Sequence, residues 1–266
     1  MPARLAAAMR YAVLGGGKRI RPLFVMTACD AVGGKRQAAL PAATAFELVH
    51  AFSLVHDDLP AMDDDDLRRG KPTCHRAFGE ANAVLAGDAL QSFAFQMLSD
   101  SAGDAQRSVA MVATLAHASG SLGMAGGQAI DLAAVGRDLD LAELEHMHRH
   151  KTGALIRASV RLGALCGDDV SSEQLVQLDA YAASIGLAFQ VRDDILDVEA
   201  DTETLGKAQG ADIALNKPTY PSLLGLTAAK QKAGELHDRA ISELVDFDAR
   251  ADGLRGLSAF IVNRPH

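Results

Sequence analysis

The chain has 266 residues, 48% hydrophobic, 23% charged and only 5% aromatic, with no Trp and a formal charge of −8. That apolar share excludes a disordered chain, and three cysteines are too few for a disulfide-built scaffold. With 26 Lys plus Arg against 34 Asp plus Glu and no basic stripe, nucleic acid is not an expected partner.

A chain this long buries roughly 70–75% of its unfolded surface. Abundant Ala and Leu with few aromatics is a helix-bundle composition rather than a sheet composition. The N-terminal MPARLAAAMRYAVLGGGKR holds an apolar stretch too short to span a membrane, and it lacks a signal peptide's cleavage pattern. Residues 22–32 read as a helix, opened by Pro22 and stopped by Gly33-Gly34. The next helix covers 41–58 and ends before Pro60. Helical periods follow at about 81–99, 105–122, 126–134, 140–166, 172–199 and 221–245, with a short helix near the C-terminus. No segment reads as a strand, a fixed-period repeat or a Pro/Ser-rich linker. The expectation is one all-α domain over 1–266, a large bundle. Cys29, Cys74 and Cys166 lie far apart with no CxxC pair, which fits a reduced, cytoplasmic, soluble protein without a membrane anchor.

Six aspartates fall between Asp57 and Asp66, in HDDLPAMDDDDLRRG. A solvated loop is the plain reading of such a run. Against it, the run follows the apolar AFELVHAFSLVH helix directly and precedes Arg68-Arg69. A second cluster lies inside another apolar helix. Gln190, Asp193, Asp194 and Asp197 stand at i, i+3, i+4 and i+7, so one helix face presents three carboxylates and an amide. Like charges on one face destabilise a helix unless a cation sits there. Carboxylates together with substrate phosphates are how proteins hold Mg²⁺. In the first cluster His50 and Asp57 share a face, but Asp63 joins them only if the chain turns at Pro60. No EF-hand loop and no zinc-spaced His/Cys set is present.

The run Gly15-Gly16-Gly17-Lys18-Arg19-Ile20-Arg21-Pro22 sets three cations beside a helix N-terminus, which suits an anion. A generic turn is the alternative, and a Walker A loop is excluded because Arg19 follows Lys18. Basic residues recur at Arg68, Arg69, Lys151, Lys207 and Lys217. Carboxylate clusters with scattered cations fit a polyphosphate substrate, bound partly through metal and partly directly.

Between Tyr11 and Arg264 the segments GGGKRIRP, HAFSLVHDDLPAMDDDDLRRGKPT, GDAL, GGQAIDL, HKTGAL, FQVRDDILD and KPTYPSLLG stand in order. In this the chain resembles the trans-isoprenyl diphosphate synthases, nearest their bacterial farnesyl-type (geranyltranstransferase) branch. The resemblance implies antiparallel helices around a deep central cavity, in a homodimer. It implies that Asp57, Asp58 and Asp63 face Asp193, Asp194 and Asp197 and hold three Mg²⁺ on an allylic diphosphate. Arg68, Lys151, Lys207 and Lys217 would contact that diphosphate. Lys18, Arg21, His50 and Arg69 would hold isopentenyl diphosphate, and Thr152 and Gln190 would lie near the reacting carbons.

Phe52 precedes Asp57 by five residues, about 7.5 Å along a helix. By resemblance it is the cavity floor that stops growth at fifteen carbons; ordinary core is the alternative. Segments 64–73 and 201–219 would close over the site. Relatives carry about one further helix before YAVLGGGKR, so the family's first helix is expected to be lacking here. His146, His148 and His150 read as a solvated face, and Gln128 with Asp131 as a structural hydrogen-bonding pair. Gly186 either gives the substrate tail room or packs helices. The rival activities are a geranylgeranyl diphosphate synthase and a non-catalytic prenyl-diphosphate-binding subunit.

Overall fold

The computed structural model describes residues 1–101, 104–199 and 218–265. Helices account for nearly all its regular structure. In chain order they are α1 (Ala3–Leu14), α2 (Ile20–Ala31), α3 (Arg36–Asp57), α4 (Cys74–Phe78), α5 (Glu80–Ser99), α6 (Ala105–Ser119) and α7 (Met124–Ala134). There follow α8 (Leu141–His148), a π-helical turn (Arg149–Gly153), α9 (Ala154–Ala164), α10 (Ser172–Glu199), α11 (Tyr220–Leu224), α12 (Leu226–Ser242) and α13 (Asp252–Asn263). The all-α expectation holds.

Two apolar cores meet at a shared wall. Phe46 and Val49 of α3 pack in the first with Leu90 and Leu98 of α5 and Leu115 of α6. Tyr181, Ile185 and Val191 of α10 pack in the second with Leu236 of α12 and Ile261 of α13. The wall is α2 and α9. Val25 of α2 and Leu155 and Leu162 of α9 face the first core, while Phe24 of α2 and Ile156 and Val160 of α9 face the second. Both helices are apolar around most of their girth, as helices buried on two sides must be. At their crossing Gly163 lies against the Val25 carbonyl, where a β-carbon has no room.

Local chemistry explains where helices begin. Asp140 and Glu143 form a capping box at α8, and Thr219 and Ser222 form one at α11. Ser171 and Gln174 exchange the same reciprocal bonds at 3.1 Å before α10.

Four sequence expectations change. Residues 3–14 form a full helix, although their apolar stretch alone did not specify one. Helix α3 starts at Arg36 and carries Pro41 inside it, where the missing N–H leaves one helical hydrogen bond unmade. The expected 221–245 helix breaks at Gly225, whose φ is +81°. A two-residue antiparallel hairpin pairs β1 (Leu67–Arg68) with β2 (Lys71–Pro72) where no strand was expected. Its turn uses Arg69 (φ 54°) and Gly70 (φ 74°), the left-handed pair of a tight hairpin.

Candidate active site

The end of α3 delivers the first carboxylates. Beyond Asp57 the chain does turn at Pro60, and the Asp63 amide donates to the Asp57 carbonyl at 2.9 Å. The six-residue gap is thereby folded back on itself. Burial pushes the Asp57 carboxyl up to about 6, and the Asp63 and Asp58 charges add to that while Lys151 opposes it. Asp58 is engaged differently. It is buried, accepts from Arg68 Nε at 2.6 Å, and borders a small cleft with Tyr11 and Cys74. Arg68 reaches it because the hairpin points Arg68 inward.

The second cluster divides its three carboxylates. Asp193 borders a cavity of about 700 Å³ and accepts from Arg264 Nη2 at 2.5 Å. Asp194 is buried and accepts from the Tyr220 amide at 2.9 Å. Asp197 is buried one turn further along the same helix. Of the three carboxylates at these positions, Asp193 lines the cavity while Asp194 and Asp197 are buried.

The same cavity is lined by Gly15–Arg21, by Glu47 and His50 of α3, and by Arg68 and Arg69. Arg69 donates to the Gly16 carbonyl, and its guanidinium lies where a β-carbon on Gly17 (φ +115°) would sit. Only glycine fits there. Arg19 is structural: it pairs with Glu47 and donates to the Val13 carbonyl at 2.8 Å. Arg21 is half-buried, its Nε is enclosed without a partner among the described residues, and burial lowers it to about 10. Burial also lowers Lys18, with Arg264 adding and Asp193 opposing. His50 falls well below its usual value through burial and then Arg21, Arg69, Arg68 and Arg19, so it is a neutral hydrogen-bonding group. Cations this crowded favour an anion between them.

The π-helical turn joins the two clusters. It carries Lys151, whose Nζ meets Asp131 Oδ2 of α7 at 2.5 Å, and Thr152, whose hydroxyl donates to Gln190 Oε1 at 2.9 Å. Gly127 of α7 lies against the Lys151 backbone and Gly186 of α10 lies against Gly153, so both glycines serve close packing around the turn. For Gly186 the packing alternative is the one observed. Phe52 is half-buried against the first core, edge-on to His56 at 5.1 Å.

Two sequence readings are corrected. His148 is not on a solvated face: it is buried, stacks on Tyr220 at 5.7 Å, and burial lowers it to about 4. Gln128 has a buried amide with no hydrogen-bond partner among the described residues, while Asp131 alone makes the expected bond. Lys207, Lys217 and most of 201–219 lie outside the described residues. Sequence reasoning missed Glu47 and Arg264. Glu47 was detectable as an acid three residues before His50 on the same α3 face; Arg264 had no local signal.

Among the described residues no three His, Cys, Asp or Glu side chains gather as a self-sufficient metal site. The available donors are hard carboxylate oxygens, split between two walls, and Arg264 already stands on Asp193 as a cation. Such a set fits Mg²⁺ completed by water and substrate phosphate rather than a closed protein cage.

The polyprenyl synthetase family profile matches residues 2–248. The chain belongs to the polyprenyl synthetase family. It is 54% identical to farnesyl diphosphate synthase of Escherichia coli (strain K12) over 96% of this chain and 88% of the relative. It is also 48% identical to geranylgeranyl pyrophosphate synthase 7 of Arabidopsis thaliana, covering 99% of this chain and 77% of that one. In structure it matches a geranyltransferase from Helicobacter pylori, complexed with magnesium and isoprenyl diphosphate, with a TM-score of 0.89 at 34% identity. That match covers 98% of this chain and 88% of the other. This polyprenyl synthetase is thus a prenyltransferase, built as an all-α isoprenoid-synthase bundle.

Proposed function

We propose that this polyprenyl synthetase joins isopentenyl diphosphate head-to-tail to dimethylallyl and then geranyl diphosphate, and stops at farnesyl diphosphate. One observation carries the reading: carboxylates on α3 and α10 flank a turn bearing Lys151 and Thr152, beside a cavity crowded with cations. The 54% identity to a farnesyl diphosphate synthase supports the fifteen-carbon product over the twenty-carbon one.

Asp57 and Asp63 on one wall, and Asp193 with Asp194 and Asp197 on the other, would hold Mg²⁺, three ions per site. Bound there, magnesium supplies Lewis-acid stabilisation of charge growing on the departing diphosphate. Asp58 would join through its pairing with Arg68. Lys151 and Arg68, with Lys207 and Lys217, hold the allylic diphosphate as its C–O bond ionises. Lys18, Arg21 and Arg69 hold the isopentenyl diphosphate, and neutral His50 adds a hydrogen bond without another charge.

The isopentenyl double bond attacks the allylic cation, and a proton then leaves to the departed diphosphate. Thr152 gives its hydroxyl proton to a hydrogen bond with Gln190, so its oxygen lone pairs remain for the cation. No side-chain base is needed. Water would quench the cation, and apolar Phe52 would keep the tail side dry.

A second copy of the chain is the partner the surface suggests. Leu85 and Phe93 of α5 and Val109 of α6 are large, apolar and exposed. The stretch 105–134 is apolar enough to span a membrane, yet only 33% of its most hydrophobic window is buried. A homodimer through α5 and α6 covers that surface. Three buried free cysteines support a cytoplasmic location.

The test is to incubate the protein with Mg²⁺, isopentenyl diphosphate and dimethylallyl diphosphate, then separate the dephosphorylated products. A dominant fifteen-carbon alcohol is expected. A twenty-carbon alcohol would move the cavity floor away from Phe52, and no product from folded protein would overturn the reading.

A further inference from the structure

The last turn of the described chain places a cation on the second carboxylate cluster. Arg264 leaves α13 in an extended conformation. Its side chain is only 1% exposed, and Nη2 donates to Asp193 Oδ1 at 2.5 Å and to the Phe189 carbonyl at 3.2 Å. The guanidinium lies over the Phe189 ring, 4.1 Å from its centre. The Arg264 carbonyl, in turn, accepts from Arg192 at 2.7 and 3.1 Å. Residues 189, 192 and 193 of one helix therefore grip both ends of a residue more than seventy positions downstream. Helix α10 builds this seat.

The seat is unfinished as a structural clamp. Arg264 Nε is buried without a hydrogen-bond partner among the described residues. Asp193 keeps 44% of its side chain exposed towards the cavity. A group serving stability alone would be satisfied and closed over. This one is a buried cation on a carboxylate that remains open to solutes. A divalent ion on Asp193 Oδ1 would lie within contact distance of the guanidinium, and two cations on one oxygen repel.

We propose that Arg264 is the resident counter-cation of the second carboxylate cluster. It neutralises Asp193 until metal binds, competes with divalent metal for the same oxygen, and so sets the metal concentration the site needs. Arg192 is a positioning residue in this arrangement, acting through the Arg264 backbone. The inference rests on the magnesium reading above.

The probe is Mn²⁺, titrated against the full chain with inorganic pyrophosphate and no prenyl substrate, and free metal is followed by electron paramagnetic resonance. Replacing Arg264 by Gln should lower the half-saturating Mn²⁺ concentration about three- to fivefold, the order one half-exposed ion pair carries. Arg264→Lys, which keeps the charge, should restore a value within about twofold of the original. Arg192→Met releases the backbone grip and should shift uptake in the same direction as Arg264→Gln, by less. That variant also serves if Arg264→Gln does not fold. Unchanged or weaker uptake in Arg264→Gln, or in Arg192→Met where the first is unfolded, overturns the proposal while leaving the magnesium reading intact. No uptake by the original chain overturns both.

Discussion

The two carboxylate clusters use the same residue type and are supported from different distances along the chain. At the end of α3 the chain doubles back, so Asp57 and Asp63 meet through a local turn, and burial holds the Asp57 carboxyl up to about 6. Within α10 the helix is continuous, and the partners come from far along the chain: the Tyr220 amide on Asp194 and the Arg264 guanidinium on Asp193. The first cluster waits for a cation with the Asp57 charge made costly by burial and Asp58 paired locally to Arg68. The second waits with its charge compensated. A motif rich in Asp therefore says that charge is concentrated, but not how the fold tolerates it until a ligand arrives.

That contrast can be broken most severely at the carboxylates themselves. Asp57→Ala and Asp193→Ala should each reduce turnover on the order of 10³-fold, several kcal/mol of lost transition-state stabilisation. Steady-state product formation at saturating Mg²⁺ is the check. Full activity in Asp193→Ala would remove the second cluster from the chemistry.

The support beneath the second cluster should respond to pH. Because burial lowers His148 to about 4, the unfolded chain takes up a proton that the folded chain refuses. Stability therefore falls as pH drops from about 6.5 towards 4, by roughly 3 kcal/mol from this one group. Urea unfolding at pH 7 and pH 5, compared between the original chain and His148→Phe, should show a shallower pH dependence in the variant. An equal dependence would mean that His148 is hydrated in the folded state.

Asp194 tests how far a carboxylate proposed for metal also holds the fold. Asp194→Ala leaves the buried Tyr220 amide unpaired and should cost about 1–3 kcal/mol of stability, whereas Asp194→Asn keeps an acceptor and costs less. Thermal unfolding of the two variants separates those cases. Equal losses would show that the negative charge, not the acceptor, matters there.

The smallest expected effect on rate lies on the first cluster's own helix. Phe52→Ala should lengthen the product beyond fifteen carbons with little loss of turnover. Product-length analysis decides it, and an unaltered profile would identify Phe52 as core only.

Much of this site is legible in the amino-acid sequence. Helical spacing places Gln190, Asp193 and Asp197 on successive turns of one helix, and Pro60 marks where the chain has to bend for Asp63 to reach Asp57. The order of the glycine-lysine-arginine run, the two acidic clusters and Lys151-Thr152 is sufficient for the family. His148 is misread from sequence because polar neighbours at alternate positions look alike on a wet face and on a buried one. The hairpin at 67–72 escapes notice because two-residue strands have no periodicity to read.

The sequence by itself determined the helical class, the positions of the acids and cations along the chain, and which of them share a helix face. Those are local properties, encoded by turn residues and a 3.6-residue period. Only the tertiary structure decided that Arg68 serves Asp58, that Tyr220 occupies Asp194, that Arg264 stands on Asp193, and that a π-helical turn sets Lys151 and Thr152 between the two walls. Those contacts join residues up to seventy-one positions apart. No local pattern encodes them, because they depend on how both cores pack against α2 and α9.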